Sequence, residues 1–293
     1  MSRIVWLSSY PKSGNTWFRL LVANLGADAP VDINGIGGEA GGIASGRAPF
    51  DHHTLLDSGL LTHDEADALR PQVYELMRDD SDEDVRLIKA HDAWVATAGG
   101  QPLLGGARVA SGAIVIVRDP RDVACSLANH RHSTIDEAIA FMANPNATFA
   151  AGGRGQNRQL RQRLLDWGGH VASWLDQTDI PTHLVRYEDL CADPLPTLDA
   201  AMAFTGLRAS PSDMQRAVEF ARFDRLQAQE RESGFTEWRP RGTSALFFRR
   251  GHAGGWRDEL TAEQVQRIES VHGPMMRRLG YGLSSGDGAQ CAL

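Results

Sequence analysis

Four short, near-continuously apolar runs stand out along the chain: RIVWLSS (3–9), VRLIKAH (85–91), GAIVIVRD (112–119) and THLVRYEDL (182–190). Strands covered on both faces read this way, whereas strands open to water on one face alternate apolar and polar positions. Apolar residues recur at helical spacing over 17–25, 120–130, 160–177, 196–206, 211–222 and 261–279, which predicts helices between and after the strands. Alternation of this kind defines an α/β fold, here a single domain with a central, mostly parallel sheet flanked by helices. Ligands of such sheets bind beyond the carboxyl ends of the strands. The chain has chemistry at each of those ends. Lys12 follows the first run, Lys89 and His91 close the second, Arg118 closes the third and Tyr187 closes the fourth. Two stretches rich in Gly, Asn and Ala, 33–49 and 144–158, read as flexible loops, either ordered by a ligand or simply solvated. The acidic run RDDSDEDVR (78–86) reads as a solvated loop before a strand, and 284–293 as a disordered tail.

Composition narrows the choice. The 293 residues are 42% hydrophobic and 23% charged, which is ordinary for a folded protein with a sizeable core. A net charge of −7 with no basic stripe excludes a general nucleic-acid binder, so any anion site must be local. Cys125, Cys191 and Cys291 lie far apart and match no C-x-x-C spacing, so they are expected to be core or incidental thiols. There is no signal-peptide pattern and no 18-residue apolar run, so neither secretion nor stable membrane insertion is expected, and the expected location is a reducing cytoplasm.

The opening stretch SSYPKSGNTWFRLL (8–21) inserts a tight loop between an apolar strand and an apolar helix. Asn15 or Thr16 is positioned to cap that helix. Free amides and the positive end of the helix dipole would converge there beside Lys12, Ser13 and Thr16, a setting suited to a phosphate ester. The Walker A pattern is absent, because Lys12 precedes Gly14 and no glycine stands five residues before it. VIVRDPRDVACSLANH (115–130) repeats the logic: Asp119 caps, Pro120 suits the first helical turn, and Ser126 lies about two turns on. Arg118 either presents a bidentate fork to phosphate or pairs with Asp119 or Asp122. FFRRGHAGGWRDEL (247–260) then supplies Arg249 and Arg250 flanked by glycines. Three anion-competent features in an acidic chain imply a ligand with more than one anionic group.

Together these segments resemble the PAPS-dependent sulfotransferase family, in its cytosolic small-molecule branch, and imply its P-loop-kinase-like fold. PAPS is adenosine with a 3′-phosphate and a 5′-phosphosulfate. YPKSGNTW (10–17) resembles the family's 5′-phosphosulfate loop, with Asn15 in place of the usual Thr, and implies contacts from Lys12, Ser13, Gly14, Asn15 and Thr16. VRDPRDVACS (117–126) resembles the 3′-phosphate motif, implying Arg118 and Ser126, and FFRRGHAGGW (247–256) the closing loop, implying Arg249, Arg250 and Gly251. Trp17 and Phe223 resemble the pair that sandwiches adenine, with Tyr187 near it. IKAHDAW (88–94) resembles the Lys-x-His segment. It implies His91 as general base, with Lys12 stabilising the leaving phosphate and Lys89 holding the sulfonate or sharing that duty. Asp92 is a competing base, or orients His91, or caps the next turn.

The resemblance spans residues 4–281 and so a sulfotransferase domain over 1–283, with acceptor-binding insertions near 33–77, 92–111 and 131–160. Ala221 and Arg222 depart from the small hydroxyl residues usual beside Phe223, and the family's dimer motif is matched only loosely at Arg257, Thr261, Ala262 and Gln266, leaving the oligomeric state open. The implied reaction transfers sulfonate from PAPS to a hydroxyl, or less readily an amine, of a small-molecule acceptor, with PAP as product. Sulfuryl transfer requires no metal in principle, and no carboxylate cluster has metal-ligand spacing. A metal-dependent kinase with a variant loop and a catalytically dead PAP-binding protein are the alternatives. His130 and His132 either line the acceptor pocket or sit on a solvated loop.

Overall fold

The computed structural model describes residues 2–37, 42–152, 158–238 and 246–284. Four strands, β1 (Arg3–Ser9), β2 (Val85–Ala90), β3 (Ala110–Val117) and, after a short hairpin, β6 (Thr182–Arg186), form one sheet in the order β2-β1-β3-β6, every pair parallel. The hairpin pairs β4 (Thr148–Phe149) with β5 (Gln162–Arg163) antiparallel. The register sets Leu7 beside Lys89, Ser9 beside Ile116 and Val117 beside Arg186. All four carboxyl ends therefore open on one edge, as the apolar runs predict.

Period-two alternation divides the core. Ile4 and Trp6 of β1 face one layer with Ile88, Val115 and Val117, while Val5 and Leu7 face the other with Ile114, Ile116 and Val185. Helices cover both faces. They are α1 (Asn15–Ala23), α2 (Arg47–Thr54), α3 (His63–Asp79), α4 (Pro120–Arg131), α5 (Ile135–Met142), α6 (Trp167–Asp176), α7 (Tyr187–Ala192), α8 (Pro194–Thr205), α9 (Pro211–Phe220), α10 (Phe223–Ser233) and α11 (Ala262–Arg278). Fully burying each Leu, Ile or Phe is worth about 1.5–3 kcal/mol, so the two layers fix which face each strand residue takes.

The expected insertions contain more order than their composition implies. Residues 33–77 include α2 and most of α3, whose Thr62–Glu65 capping box starts a 17-residue helix that buries Ala66, Arg70, Val73, Tyr74 and Met77. Pro71 sits inside this helix and Arg70 on its core face, so the apolar stripe is broken on paper although the helix forms. The helix expected over 160–177 starts at Trp167 under an Asp166 cap, because 162–163 pair in the hairpin instead. Part of each Gly-rich stretch (38–41 and 153–157) and most of the expected tail (285–293) lie outside the described residues, as does Cys291. Among the described residues no helix is long and apolar enough to cross a membrane.

Asp92 is neither a base nor a cap. Its carboxylate is fully buried and takes both Arg70 guanidinium nitrogens, at 2.5 and 3.2 Å, as well as the Arg163 amide at 2.8 Å. Removing one partner of such a buried pair costs about 3–5 kcal/mol, so Asp92 ties α3 to the sheet and to the hairpin.

Candidate active site

A cavity of about 680 Å³ opens at the carboxyl edge of the sheet. Its walls include Lys12, Gly14, Asn15, Thr16 and Trp17, Lys89 and His91, Arg118 and Ser126, Tyr187 and Phe223, and Arg249, Arg250 and Gly251. Every donor-binding and catalytic residue that the resemblance implies thus lines one chamber, except Ser13, which is fully buried beneath the loop with its hydroxyl unpaired.

The first loop is built by two residues with positive φ, Lys12 (74°) and Gly14 (103°). Gly14 is obligatory for contact as well as for conformation, since a Cβ there would lie 2.5 Å from the Tyr187 ring. Gly14 is also the helix N-cap, and no side chain caps α1. The expected capping by Asn15 or Thr16 is therefore corrected: both lie inside the first turn. Asn15 instead donates to Leu7 O at 2.9 Å and to Ser9 Oγ at 3.1 Å, lashing the loop to β1. A helix start with no side-chain cap keeps its amides available to an anion.

Three cations from three segments converge. Burial, and then Lys89 and Arg118, hold the Lys12 ammonium well below the usual lysine range, while its Nζ lies 3.6 Å from the centre of the Phe247 ring. Arg118 makes only long contacts, 3.4 Å to Lys12 O, 3.4 Å to His252 O and 4.0 Å to Asp122, and stacks at 4.3 Å over Tyr187. Its buried Nε has no partner. The ion pair with Asp122 is thus weak, because Asp122 is engaged by the amides of Gly254 (2.7 Å) and Trp256 (2.9 Å), which folds the closing loop back onto α4.

In that closing loop the two arginines differ. Arg249 is held bidentate by Glu259 at 2.6 and 2.8 Å, whereas Arg250 contacts Gly255 O, Asp258 and Glu259 only at 3.3–3.4 Å. Gly251, at φ 69°, is pressed against Phe223, and a Cβ there would lie 2.2 Å from the ring. Trp17 donates its Nε1 proton to Ala221 O at 2.9 Å and meets Tyr187 edge-on at 5.7 Å. The backbone of Ala221 therefore orients the Trp17 indole.

His91 Nδ1 is 2.8 Å from Ser9 O. A carbonyl only accepts, so the proton is on Nδ1 and Nε2 is the unprotonated nitrogen. Burial, and then Lys89, push His91 well below the ordinary histidine value. It is neutral at pH 7, and its titration does not fall near neutrality as its residue type alone implies. Lys89 donates to Glu237 at 3.2 Å, and Arg19 donates to the same carboxylate at 2.7 Å.

Away from the phosphate loops, Ile43, Phe149, Gln159, Gln162, His130 and Phe247 line the chamber. His130, pushed down to about 3 by burial and by Lys12 and Lys89, is a wall of the cavity rather than part of a solvated loop. His132 instead stacks on Trp238 at 5.6 Å. Glu237, Phe149 and Gln162 had no signal in the sequence, since each reaches the site only through tertiary folding. Phe247, immediately before the arginine pair, was visible in the motif without a role.

This fold and site define a chamber suited to an anionic ligand at the carboxyl edge of a parallel sheet. Residues 110–280 match the family described as sulfotransferase domain, and the chain belongs to that family. Cytosolic sulfotransferase 17 of Arabidopsis thaliana is 22% identical over 290 residues, covering 94% of this chain and 75% of that protein. The flavonol 3-sulfotransferase of Flaveria bidentis is 24% identical over 280 residues, covering 91% and 80%. A mouse sulfotransferase complexed with PAP superimposes with a TM-score of 0.59 at 18% identity, covering 94% of this chain and 84% of that one. Retinol dehydratase in complex with retinol and PAP gives 0.58 at 18% identity, covering 94% and 81%. At these identities the two structures establish the shared fold. The chain is a sulfotransferase, and the kinase reading is set aside with that membership.

Proposed function

We propose that this chain transfers the sulfonate of PAPS to a hydroxyl group of a small, partly aromatic acceptor, releasing PAP. The observation that carries this reading is the convergence of three cationic side chains, Lys12, Lys89 and Arg118, on one chamber that also holds a neutral histidine with its acceptor nitrogen free. PAP is the nucleotide named in the solved relatives. The donor end fits it: Ser13 Oγ and Arg118 Nε are buried polar atoms without partners, and the start of α1 has no side-chain cap. PAPS would supply an activated sulfonate on a phosphate leaving group.

The chain's residues then divide the work. Lys12, Ser13, Gly14, Asn15 and Thr16 would hold the 5′ end, with Lys12 stabilising charge on the leaving oxygen, an interaction strongest in the transition state. Arg118, Ser126, Arg250 and the Gly251 amide would hold the 3′-phosphate. Arg249 would join them only by giving up part of its ion pair with Glu259. Trp17 and Phe223 would flank adenine beside Tyr187. Lys89 would face the sulfonate, and His91 Nε2 would take the proton of the acceptor hydroxyl. The acceptor would lie against Phe149, Phe247 and His130, aromatic faces suited to a ring.

Titration calorimetry of PAP with the wild-type chain and with Arg118→Ala, in the absence of Mg²⁺ and beside ATP as a control, tests the reading. Tight metal-free PAP binding that weakens in the variant is expected. No PAP binding, with ATP bound only when Mg²⁺ is present, would refute it. PAP binding without sulfonation of any of a panel of phenols and alcohols would identify a catalytically dead nucleotide binder.

A further inference from the structure

Glu237 is an acidic group inside an anion-binding chamber, where a carboxylate is electrostatically out of place. It follows the end of α10 and lines the chamber. There it accepts from Arg19 of α1 at 2.7 Å and from Lys89 at the end of β2 at 3.2 Å. The Arg19 and Lys89 side chains are only 7% and 13% exposed, and that of Glu237 is 27% exposed. Arg19 is itself fixed, donating to Ile36 O at 2.5 Å, so the carboxylate is held from a rigid side and its other oxygen is presented to Lys89.

We propose that Glu237 is the positioning residue for Lys89: anchored by Arg19, it holds the Lys89 ammonium at the point where the donor's sulfonate is transferred. This rests on the PAPS reading above. Glu237 is no base, since Lys89 and Arg19 hold its carboxyl below the usual range against the opposing effect of burial. It acts through Lys89. The charged and titratable groups facing Lys89 are Arg19 from α1, Lys12 from the first loop, His91 from the exit of β2, His130 from α4 and Glu237. Among the described residues, all of these but Glu237 are cationic or neutral. Burial lowers the Lys89 pKa and Arg19 lowers it further, while Glu237 opposes them. Without Glu237, Lys89 would swing free on a flexible four-carbon stem and lose its proton at lower pH.

PAP lacks the sulfonate and PAPS carries it, so the ratio of their affinities isolates the Lys89 contribution. Calorimetry on the full chain at pH 6, 7.5 and 9 should find PAP binding unchanged in Glu237→Gln. PAPS binding should weaken by roughly tenfold, the scale of one charge-assisted contact, with the deficit growing toward pH 9. Glu237→Asp should recover part of the loss. On a Lys89→Met background Glu237→Gln should add nothing, because both changes remove the same interaction. Three results would overturn the proposal: an unchanged PAPS-to-PAP ratio, tighter PAPS binding in Glu237→Gln, which would make the carboxylate a competitor for Lys89, or equal weakening of both nucleotides, which would make it a strap for the segment. Failure of wild-type protein to bind either nucleotide would instead strike down the PAPS reading, and this inference with it.

Discussion

The two ends of the chamber are built on opposite principles. The end assigned to the donor is backbone architecture: residues 12–17 between β1 and α1, Arg118 between β3 and α4, and Gly251 folded back by Asp122. Its critical fits are made by Gly14 against Tyr187 and Gly251 against Phe223, where a single extra carbon collides. The end assigned to the acceptor is a side-chain surface, with Ile43, Phe149, Gln159 and Phe247 contributed by segments far apart in the chain. A backbone cradle tolerates few substitutions, because backbone cannot move without the sheet. A wall of side chains can be resurfaced while the scaffold stays fixed.

The sharpest way to separate the ends is to remove the group between them. His91→Ala should lower turnover of PAPS with a hydroxyl-bearing acceptor by roughly 10²–10⁴, measured as PAP release, while leaving PAP affinity intact. A parallel loss of PAP binding would move His91 into the donor end. Next in size is Arg118→Ala, which should cost about 1.5–3 kcal/mol of PAP affinity by calorimetry and leave acceptor preference alone. Gly251→Ala forces a side chain into the left-handed region and into Phe223, and should weaken PAP by about 1–3 kcal/mol. Unaltered affinity would show that Phe223 moves freely and that the cradle is less rigid than the contact implies.

Acidity tests the middle of the chamber and its support together. His91 is neutral well below its ordinary value, so kcat/KM should stay flat as pH falls through 6.5, with its acid limb lower. Stability behaves differently. Burial holds His170 and His272 at about 4, so the unfolded chain binds more protons than the folded one once pH drops below about 6.5. Their contribution is complete above that pH and is lost progressively toward pH 4, which a series of thermal melts would record as a falling Tm. The smallest expected effect on the donor end is that of Phe149→Ala: PAP affinity unchanged, with relative rates among ring-bearing and aliphatic alcohols altered. A loss of PAP binding there would break the division between the ends.

Much of the donor end was legible because its signals are local. Strand, loop and helix follow one another within about fifteen residues at 3–17, and the same grammar recurs at 112–126, so motif and element could be read together. The capping of α1 was misread for an equally local reason. Asn15 is a good cap residue by type, yet its amide is taken by Leu7 O and Ser9 Oγ, contacts that exist only once the loop folds over the strand. Helix α3 was hidden inside a presumed insertion although Thr62 and Glu65 announce its start, because Arg70 and Pro71 interrupt the apolar stripe and the partner that makes Arg70 acceptable, Asp92, is 22 residues away.

By itself the sequence determined the parallel sheet, the edge at which chemistry gathers, and many of the residues that line it, since burial on both faces and loop chemistry are written in neighbouring residues. Only the tertiary structure decided how those residues stand toward one another. The tautomer of His91, the bond from Glu237 to Lys89 across 148 positions, the capture of Arg249 by Glu259 and the burial of Asp92 all depend on which distant groups share a low-dielectric space. Charge and hydrogen bonding act through space and are amplified by burial, so proximity along the chain carries no record of them.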